Sequence, residues 1–269
     1  MNGVDRVIYE SASTQVKRSL WEDQPVIIKS VKPDAITPGA IARFQHEFRI
    51  NQSLTSTCVC RALALDEAQH RIIFEDVGGF ALRDLAQSDE LGLDERLDLA
   101  IALTTALQSI HDEGVIHRDL NPGNVIVGET PSDVHLIDFG LASLSPREYP
   151  QQEQIGHLAG TLAYISPEQT GRVNRVVDYR TDLYSLGATL YTLFCRHPPF
   201  VSQDPLELIH AQIASMPKPL HVIDPAIPQW LSDVVQKLLA KQPENRYQSA
   251  AAVRDDLLEG QRHGNVIPL

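Results

Sequence analysis

The hydrophobic pattern divides the chain into a strand-rich first part and a helix-rich remainder. Before residue 76 most apolar residues occur in short runs separated by polar residues, which is typical of β-strands. One segment differs, because Thr37 and Pro38 provide an N-cap and a first helical position, and Ile41 and Phe44 follow at helical spacing. We therefore predict a helix over residues 38–54. The predicted strands are residues 7–9, 14–17, 25–29, 62–65 and 71–74.

Helical periodicity dominates after a polar break at residues 75–79, Glu-Asp-Val-Gly-Gly, which predicts a linker. Apolar residues recur at helical spacing over residues 93–111, and this spacing predicts a long helix. Residues 178–196 are apolar almost all round, which is typical of a buried helix. Further helices are predicted to begin at Asp204, Pro228 and Ser249.

Length and charge narrow the class of protein. The 269 residues are enough for a sizeable core in one or two domains. The formal net charge of −12 argues against a nucleic-acid-binding protein, which normally presents a basic surface. The N-terminus has no signal-peptide core, and no apolar run approaches the ~20 residues that cross a bilayer. We expect a cytoplasmic protein with neither nucleic acid nor membrane as a partner.

The cysteine content predicts no disulfide framework. Only Cys58, Cys60 and Cys195 are present, which is consistent with a reducing compartment. The pair Cys58 and Cys60 could supply two ligands of a metal site, but no second cysteine or histidine pair has the spacing of metal ligands. The alternative, small apolar residues near the start of a strand, is favoured.

Two polar clusters, each set among apolar residues, carry the candidate chemistry. The first is His-Arg-Asp-Leu-Asn-Pro-Gly-Asn at residues 117–124, and the second is Asp-Phe-Gly at residues 138–140. A carboxylate, an amide five residues later and a second carboxylate on the next strand can converge on one phosphate–metal site. Phosphoryl transfer requires these groups, because one carboxylate orients the attacking hydroxyl while the amide and the other carboxylate hold Mg²⁺.

These residues match the H-R-D-L-x-x-x-N and D-F-G motifs of protein kinases. The chain therefore resembles the eukaryotic-type Ser/Thr protein kinase family, in family order from about residue 7 to residue 259. Within that family it is similar to the N-terminal kinase domains of bacterial hybrid proteins, which also carry ATPase, GAF-type sensor and histidine-kinase modules. The other matching motifs are V-I-I-K at residues 26–29, G-T-L-A-Y-I-S-P-E at 160–168, D-L-Y-S-L-G at 182–187, and a late arginine, Arg246.

The resemblance implies an α+β fold with two lobes. A small β-rich lobe with one key helix, called helix C in the family, would comprise residues 1–78. A larger, mainly α-helical lobe would comprise residues 79–260, and residues 261–269 would form a tail or the start of a linker. The resemblance also implies ATP and Mg²⁺ as cofactors, a protein substrate, and further sensor modules in a longer chain.

The family pattern assigns roles to residues of this sequence. Asp119 is the base or orienting group for the acceptor hydroxyl, and Asn124 and Asp138 hold Mg²⁺. Lys29 holds the α- and β-phosphates of ATP and is oriented by Glu47 from helix C. Two simpler alternatives exist: Lys29 as a solvent-facing lysine of an edge strand, and Glu47 as an exposed helix charge.

The adenine of ATP would lie against the linker. By resemblance, Phe74 is the gatekeeper, and the backbone of Glu75 and Val77 hydrogen-bonds the adenine. The glycine-rich phosphate loop of the family is absent, and its glycine positions hold Tyr9, Ser11 and Thr14. Because glycine permits close backbone approach to phosphate, we predict a looser clamp here. The hydroxyls of Ser11, Ser13 and Thr14 would form part of this clamp beside Val16.

Two asparagines also depart from the family pattern. Asn121 replaces the lysine that normally meets the γ-phosphate, and an amide cannot offset developing negative charge, so slower transfer is expected. Asn51 replaces a leucine that usually joins the two lobes. A buried amide needs hydrogen-bond partners, and we predict that helix C is held less firmly as a result.

The segment after Gly140 resembles an activation segment. It has no serine or threonine between Gln151 and Ala159, so activity independent of phosphorylation there is predicted, with Glu153 as a fixed anion. Thr161 is expected to pack near Asp119. Other motif residues are assigned structural roles: His117 beneath Phe139, Asp182 on the backbone of the catalytic loop, Arg246 paired with Glu168, and His111 as a packed or surface residue.

The function implied is ATP- and Mg²⁺-dependent transfer of the γ-phosphate to a protein Ser or Thr hydroxyl. The competing class is a pseudokinase, a nucleotide-binding or docking module without transfer, which the missing glycines, Asn51 and Asn121 favour. Retention of all five family site residues, Lys29, Glu47, Asp119, Asn124 and Asp138, opposes that alternative. A small-molecule phosphotransferase is a third class, and the complete motif at residues 160–168 argues against it.

Overall fold

The computed structural model describes residues 5–88, 91–145 and 162–264. The first part of the chain forms a five-stranded antiparallel sheet in the order β1-β2-β3-β5-β4, which confirms each predicted strand. We call this sheet and its helix the small lobe. The strands are Arg6–Glu10 (β1), Thr14–Trp21 (β2), Gln24–Val31 (β3), Ala62–Asp66 (β4) and Arg71–Glu75 (β5).

Helix α1, Pro38–Ser53, packs on this sheet and begins as predicted. The Thr37 side-chain oxygen accepts a hydrogen bond from the Ala40 backbone N–H at 3.1 Å, which satisfies one of the free donors of the first turn. Phe44 extends from the helix into the small hydrophobic core of this lobe. The buried members of that core are Val31, Phe44, Ala62, Ile72 and Phe74.

Residues 76–79 link the small lobe to the rest of the chain, which we call the large lobe. They lead into β6 (Phe80–Ala81), which pairs with β7 (Val125–Val127), and β7 pairs with β8 (Val134–Leu136). Gly79 has a φ of 71°, and a Cβ atom there would lie 1.9 Å from the Val127 carbonyl oxygen. Only glycine therefore fits this turn.

The large lobe is built around helix α4, whose residues 181–194 are all buried. This confirms the prediction of a central, fully enclosed helix. The short strands β7 and β8 confirm the apolar runs predicted around the two polar clusters. Elements α2, α6 and β6 were not predicted, because they have too few residues to show a period. The helices are Leu82–Ala86 (α2), Leu93–Asp112 (α3), Arg180–Cys195 (α4), Pro205–Ala214 (α5), Leu220–Ile223 (α6), Gln229–Leu238 (α7) and Ala250–His263 (α8).

Helix α8 closes the large lobe against α3 and α7. It continues to His263, so residues 261–263, predicted as tail, are helical. Residues 265–269 lie outside the described chain. Among the described residues, no helix is both long enough and apolar enough to cross a membrane.

Candidate active site

The catalytic loop, residues 117–124, is anchored by one buried carboxylate from α4. Asp182 accepts hydrogen bonds from the backbone N–H groups of His117 and Arg118, both at 2.8 Å. His111, at the end of α3, lies 2.9 Å from the same carboxylate and is packed rather than exposed. Burial acts to raise the pKa of Asp182, but the bond to His111 and the nearby charges outweigh it and lower that pKa. The expected anchoring role of Asp182 is confirmed.

His117 lies beneath the phenylalanine of the Asp-Phe-Gly cluster, as predicted. Its ring centre is 4.9 Å from that of Phe139, and its Nε2 is 3.0 Å from the Ile137 carbonyl oxygen. Burial lowers the pKa of His117, although Asp182 opposes the shift, and the ring is therefore neutral near pH 7. The histidine acts as packing between the catalytic loop and the strand that leads to Asp138.

Two amides hold the Asp119 carboxylate. Asn124 Nδ2 donates to Oδ2 at 3.0 Å, and Asn121 Nδ2 lies 3.3 Å from Oδ1. Asn121 also binds the Asp119 carbonyl at 2.9 Å and accepts from the Gly123 N–H at 2.9 Å. Asn121 therefore stabilises the loop around Asp119 but brings no positive charge to it.

Lys29, Glu47 and Asp138 form one ionic cluster between the lobes. Lys29 Nζ lies 2.9 and 2.8 Å from the two Glu47 oxygens and 3.0 Å from Asp138 Oδ1. Strand β3 lies between β2 and β5, so Lys29 is not on an edge strand, and its side chain is 13% exposed. The Glu47 side chain is 3% exposed. Both simpler alternatives are therefore wrong.

Burial and charge set the protonation of this cluster. Burial acts to lower the pKa of Lys29, but the carboxylates of Asp138 and Glu47 outweigh it and raise that pKa above its ordinary value. Burial raises the pKa of Glu47 to about 7, and the Lys29 charge only partly opposes it. Burial also acts to raise the pKa of Asp138, but Lys29 outweighs it and holds that pKa low. Lys29 and Asp138 are thus ionised at neutral pH, and Glu47 is close to its midpoint.

The donor set fits a magnesium ion bound together with a nucleotide. Asn124 uses its Nδ2 on Asp119, and within the described chain its Oδ1 makes no hydrogen bond, so an amide oxygen remains for a ligand. Asp138 is ionised and its side chain is 39% exposed. Mg²⁺ prefers such oxygen ligands and usually keeps several from phosphates and water. The described residues contain no group of three or more His, Cys, Asp or Glu that could hold a metal without a nucleotide.

The predicted adenine contacts lie at the linker. Phe74 is buried at the end of β5, where a gatekeeper is expected. The Glu75 N–H donates to the Arg61 carbonyl at 2.9 Å, and the Glu75 side chain accepts from the Arg61 N–H at 2.7 Å. In the described chain no backbone hydrogen bond engages Val77, so its peptide groups are available to a ligand.

The turn between β1 and β2, residues 11–13, is closed by a serine hydroxyl. Ser11 Oγ lies 3.3 Å from the Ser13 N–H and 3.0 Å from the Thr14 N–H and accepts from both. The turn amides are thus already engaged, and the Ser11 hydroxyl is turned inward rather than presented as part of a clamp. Val16 lies directly opposite Lys29 in the β2–β3 ladder.

Asn51 ties α1 to the sheet, contrary to the prediction that it weakens this attachment. Its Nδ2 donates to the Cys60 carbonyl at 2.8 Å, and its Oδ1 accepts from the Ala62 N–H at 2.6 Å. Gln52 adds a bond to the Ala62 carbonyl. Both polar atoms of the buried amide therefore have a partner, one helical turn after Glu47. Its pairing was missed because the partners are backbone groups that no sequence pattern marks.

The paired charges predicted farther from the site are also present. Arg246 Nη1 and Nη2 lie 2.6 and 2.9 Å from the two Glu168 oxygens, and both side chains are buried. This confirms a structural ion pair. Glu153 and Thr161, which carry predictions about the activation segment, lie outside the described residues.

Comparison with known proteins gives the family. A family model described as the protein kinase domain matches residues 10–258, which is most of the chain. The chain belongs to the protein kinase family. The probable serine/threonine-protein kinase SCO3848 of Streptomyces coelicolor is 33% identical over 96% of this chain, and PknB of Mycolicibacterium smegmatis is 31% identical over 93%. The kinase domain spans 38% and 41% of the length of these two relatives.

One clamp in the kinase domain was not predicted. The Glu113 carboxylate, at the end of α3, accepts hydrogen bonds from the backbone N–H groups of Thr55 and Ser56 at 2.7 and 2.9 Å. Ser56 also bonds the Ser109 hydroxyl at 2.7 Å. The segment after α1 is thereby fixed to the large lobe. No sequence signal could find this contact, because Glu113 and Thr55 are 58 residues apart.

Proposed function

We propose that this kinase domain transfers the γ-phosphate of Mg-ATP to a serine or threonine hydroxyl of a protein. The observation that carries the proposal is the cluster of Lys29, Glu47 and Asp138 together with the Asp119–Asn124 pair. The two groups are neighbours, because the N–H of Ile137, which precedes Asp138, donates to the Asn124 carbonyl at 3.1 Å. A lysine paired with a helix glutamate, beside an aspartate that can hold Mg²⁺, is the arrangement that phosphoryl transfer uses. Family membership and the names of the bacterial relatives support the same function.

The roles of the residues follow from their charges. Asp119 accepts the proton of the acceptor hydroxyl as the new P–O bond forms and the bond between the β–γ bridging oxygen and the γ-phosphorus breaks, which leaves ADP. Such general-base assistance contributes typically 10²–10⁴-fold. Lys29 binds the α- and β-phosphates, Asn124 and Asp138 supply oxygens to Mg²⁺, and the ion offsets charge on the phosphates when bound.

Transfer is expected to be slow for this family. Asn121 contributes amide hydrogen bonds to Asp119 and no cation to the γ-phosphate. A preorganised positive charge normally stabilises the charge that develops on the transferred group. We therefore propose an enzyme that works mainly by positioning its two substrates, which alone can remove roughly 7–11 kcal/mol from a barrier.

Radiolabel transfer from γ-³²P ATP tests the proposal. The kinase domain is incubated with Mg-ATP and a generic protein substrate, and Asp119→Asn is the matched blank, because it keeps the size of the side chain and removes its charge. Label on Ser or Thr that is lost in Asp119→Asn is the expected result. Absence of label, in protein shown to be folded by circular dichroism, would contradict an enzymatic role.

A nucleotide-sensing module without transfer is the second candidate. One observation favours it: Ser11 Oγ engages the Ser13 and Thr14 amides that a phosphate would otherwise bind. Calorimetry with Mg-ADP and with Mg-AMP-PNP separates the candidates when transfer is absent. Binding of both nucleotides without phosphate transfer supports the nucleotide-sensing module. Binding of neither nucleotide contradicts both candidate functions.

We also propose a bacterial signalling role in the cytoplasm, within a longer chain that carries ATPase, sensor and histidine-kinase modules. The support is the resemblance of residues 160–187 to that group of hybrid proteins, together with the bacterial origin of the relatives. Sequencing the gene beyond the codon for Leu269 tests it. A stop codon at that point would contradict the hybrid arrangement.

A further inference from the structure

Arg83 is a large-lobe residue that contacts the small lobe. It lies in α2, just after the linker, and its guanidinium carbon is 5.1 Å from the ring centre of Tyr9 in β1. On the other side, a Cβ atom on Gly123 would lie 3.4 Å from Arg83 Nη1. Gly123 belongs to the turn that follows Asp119. Arg83 therefore lies between β1 of the small lobe and the turn that follows Asp119.

The charge of Arg83 is only weakly compensated. In the described chain its one ion pair is with Asp84, its sequence neighbour, at 3.6 Å. The two side chains are 46% and 66% exposed, and an exposed pair of this kind contributes little. Residues 119–124 contain no basic side chain, and Gly123, which lies beside Arg83, has no side chain. A chain with a net charge of −12 thus holds an available cation next to its catalytic loop.

The geometry also leaves the donors of Arg83 usable. In the described chain the guanidinium of Arg83 donates no hydrogen bond, and it carries five N–H donors in a planar fork. Contact with Tyr9 restrains the long side chain, which reduces the entropy lost when a ligand binds. A planar, restrained guanidinium is suited to a carboxylate, which it can bind through two parallel hydrogen bonds.

We propose that Arg83 forms a subsite for an acidic side chain of the protein substrate, within about three residues of the phosphorylated serine or threonine. The proposal rests on the proposed function, because it assigns a substrate class to the same cleft. Arg83 is then a specificity-determining residue. A nucleotide phosphate is the other anion expected between the lobes. Arg83, however, lies against the turn that follows Asp119, the group proposed to meet the acceptor, and Lys29 already faces Asp138.

Two peptides of identical composition test the subsite. Each carries one serine and three glutamates, which lie within three residues of the serine in the first peptide and at the far ends in the second. Affinity is measured by fluorescence anisotropy with Mg-AMP-PNP present, and phosphate transfer is measured with Mg-ATP. We expect the first peptide to be favoured about fivefold, which corresponds to about 1 kcal/mol for an exposed charge pair.

Arg83→Glu is expected to abolish this preference and to favour a third peptide that has lysines beside the serine. Arg254→Glu is the matched control, because Arg254 also pairs with its sequence neighbour, Asp255, at 3.3 Å and lies on α8 away from the cleft. Both variants change the net charge equally, so an effect of overall charge would appear in both.

The outcomes separate the subsite from the proposed function. Equal affinity of the wild type for the first two peptides would overturn the subsite, even if both are phosphorylated. A raised KM for ATP in Arg83→Glu with an unchanged peptide preference would overturn it too, and would assign Arg83 to the nucleotide. A fivefold binding preference without any transfer would leave the subsite in place and contradict the enzymatic function.

Discussion

The catalytic loop and the β1–β2 turn both face the cleft, but they are held in opposite ways. The catalytic loop is anchored by Asp182, a fully buried carboxylate that accepts hydrogen bonds from two backbone amides of the loop. The turn is held by the hydroxyl of Ser11 and by backbone hydrogen bonds of Ser11 and Ser13, all between uncharged groups, and every residue of the adjoining strand β1 is exposed. A buried charged anchor fixes a loop in one geometry, whereas a local hydroxyl bond can exchange with water or a ligand.

The cores of the two lobes show the same contrast. The small lobe has a core of five buried apolar side chains, among them Phe44 and Phe74. The core of the large lobe is far more extensive and surrounds α4 on all sides. Rigidity is therefore concentrated where Asp119 must be placed, and adaptability where a nucleotide must enter. Substitutions in the two lobes should therefore have unequal effects, largest in the buried core of the large lobe and smallest at the β1–β2 turn.

Arg246→Met should destabilise the large lobe most. The substitution leaves the buried Glu168 carboxylate without its partner and removes the bonds to the Ala240 and Arg180 carbonyls. Loss of one partner of a buried pair costs about 3–5 kcal/mol, which corresponds to a fall in melting temperature of roughly 10 °C. Calorimetry measures it. Arg175→Met is the matched control, because its partner Glu244 is exposed, and a similar loss in both variants would contradict the role of burial.

Asn51→Leu should cost less but still weaken the small lobe. The Cys60 carbonyl and the Ala62 N–H would lose their partner, and each unsatisfied buried group costs about 1–3 kcal/mol. We expect a lower melting temperature and a raised KM for ATP, because α1 carries Glu47. Gln45→Leu on the exposed side of α1 is the control. An unchanged Asn51→Leu variant would show that these bonds do not hold the helix.

Activity should rise as the pH rises through about 7. Burial raises the pKa of Glu47 from an ordinary value near 4.5 to about 7, so acid protonates it and removes a charge that orients Lys29. The free energy of unfolding changes in the opposite direction, because the folded state favours protonated Glu47. The stabilisation from this group is fully present below about pH 4.5 and is lost as the pH rises through about 7. Glu47→Gln should remove both dependences. A wild-type profile that is matched by Glu47→Gln would assign the titration to another group.

Ser11→Gly should have the smallest effect on folding and a specific effect on nucleotide binding. It frees the Ser13 and Thr14 amides, so we expect a lower KM for ATP and a change in unfolding free energy within about 0.5 kcal/mol. Ser13→Gly is the control, because it adds the same flexibility and leaves the Ser11 hydroxyl in place. Equal changes in KM in both variants would show that flexibility, rather than the freed amides, is responsible.

Local signals in the sequence were sufficient for most elements. Thr37 and Pro38 mark the start of α1, and the all-round apolar pattern marks α4 as buried, because both signals depend on neighbouring residues. The resemblance to protein kinases also anticipated that Asp182 would bind the catalytic loop. The roles of Asn51 and Arg83 could not be predicted in this way. Each of these side chains meets a partner from another element of the fold. Asn51 binds backbone groups of residues 60 and 62, and Arg83 lies beside Gly123, so no side-chain pattern in the sequence marks either contact.

The Glu113 clamp reduces the ways in which the two lobes can move. The small lobe is attached to the large lobe at the linker, residues 76–79, and again where Glu113 binds the segment at Thr55 and Ser56. The backbone of Cys58 and Cys60 continues this second attachment, because it pairs with Leu136 of β8. The segment between α1 and β4 is thus held to the large lobe, so any displacement of the rest of the small lobe must be taken up on either side of it.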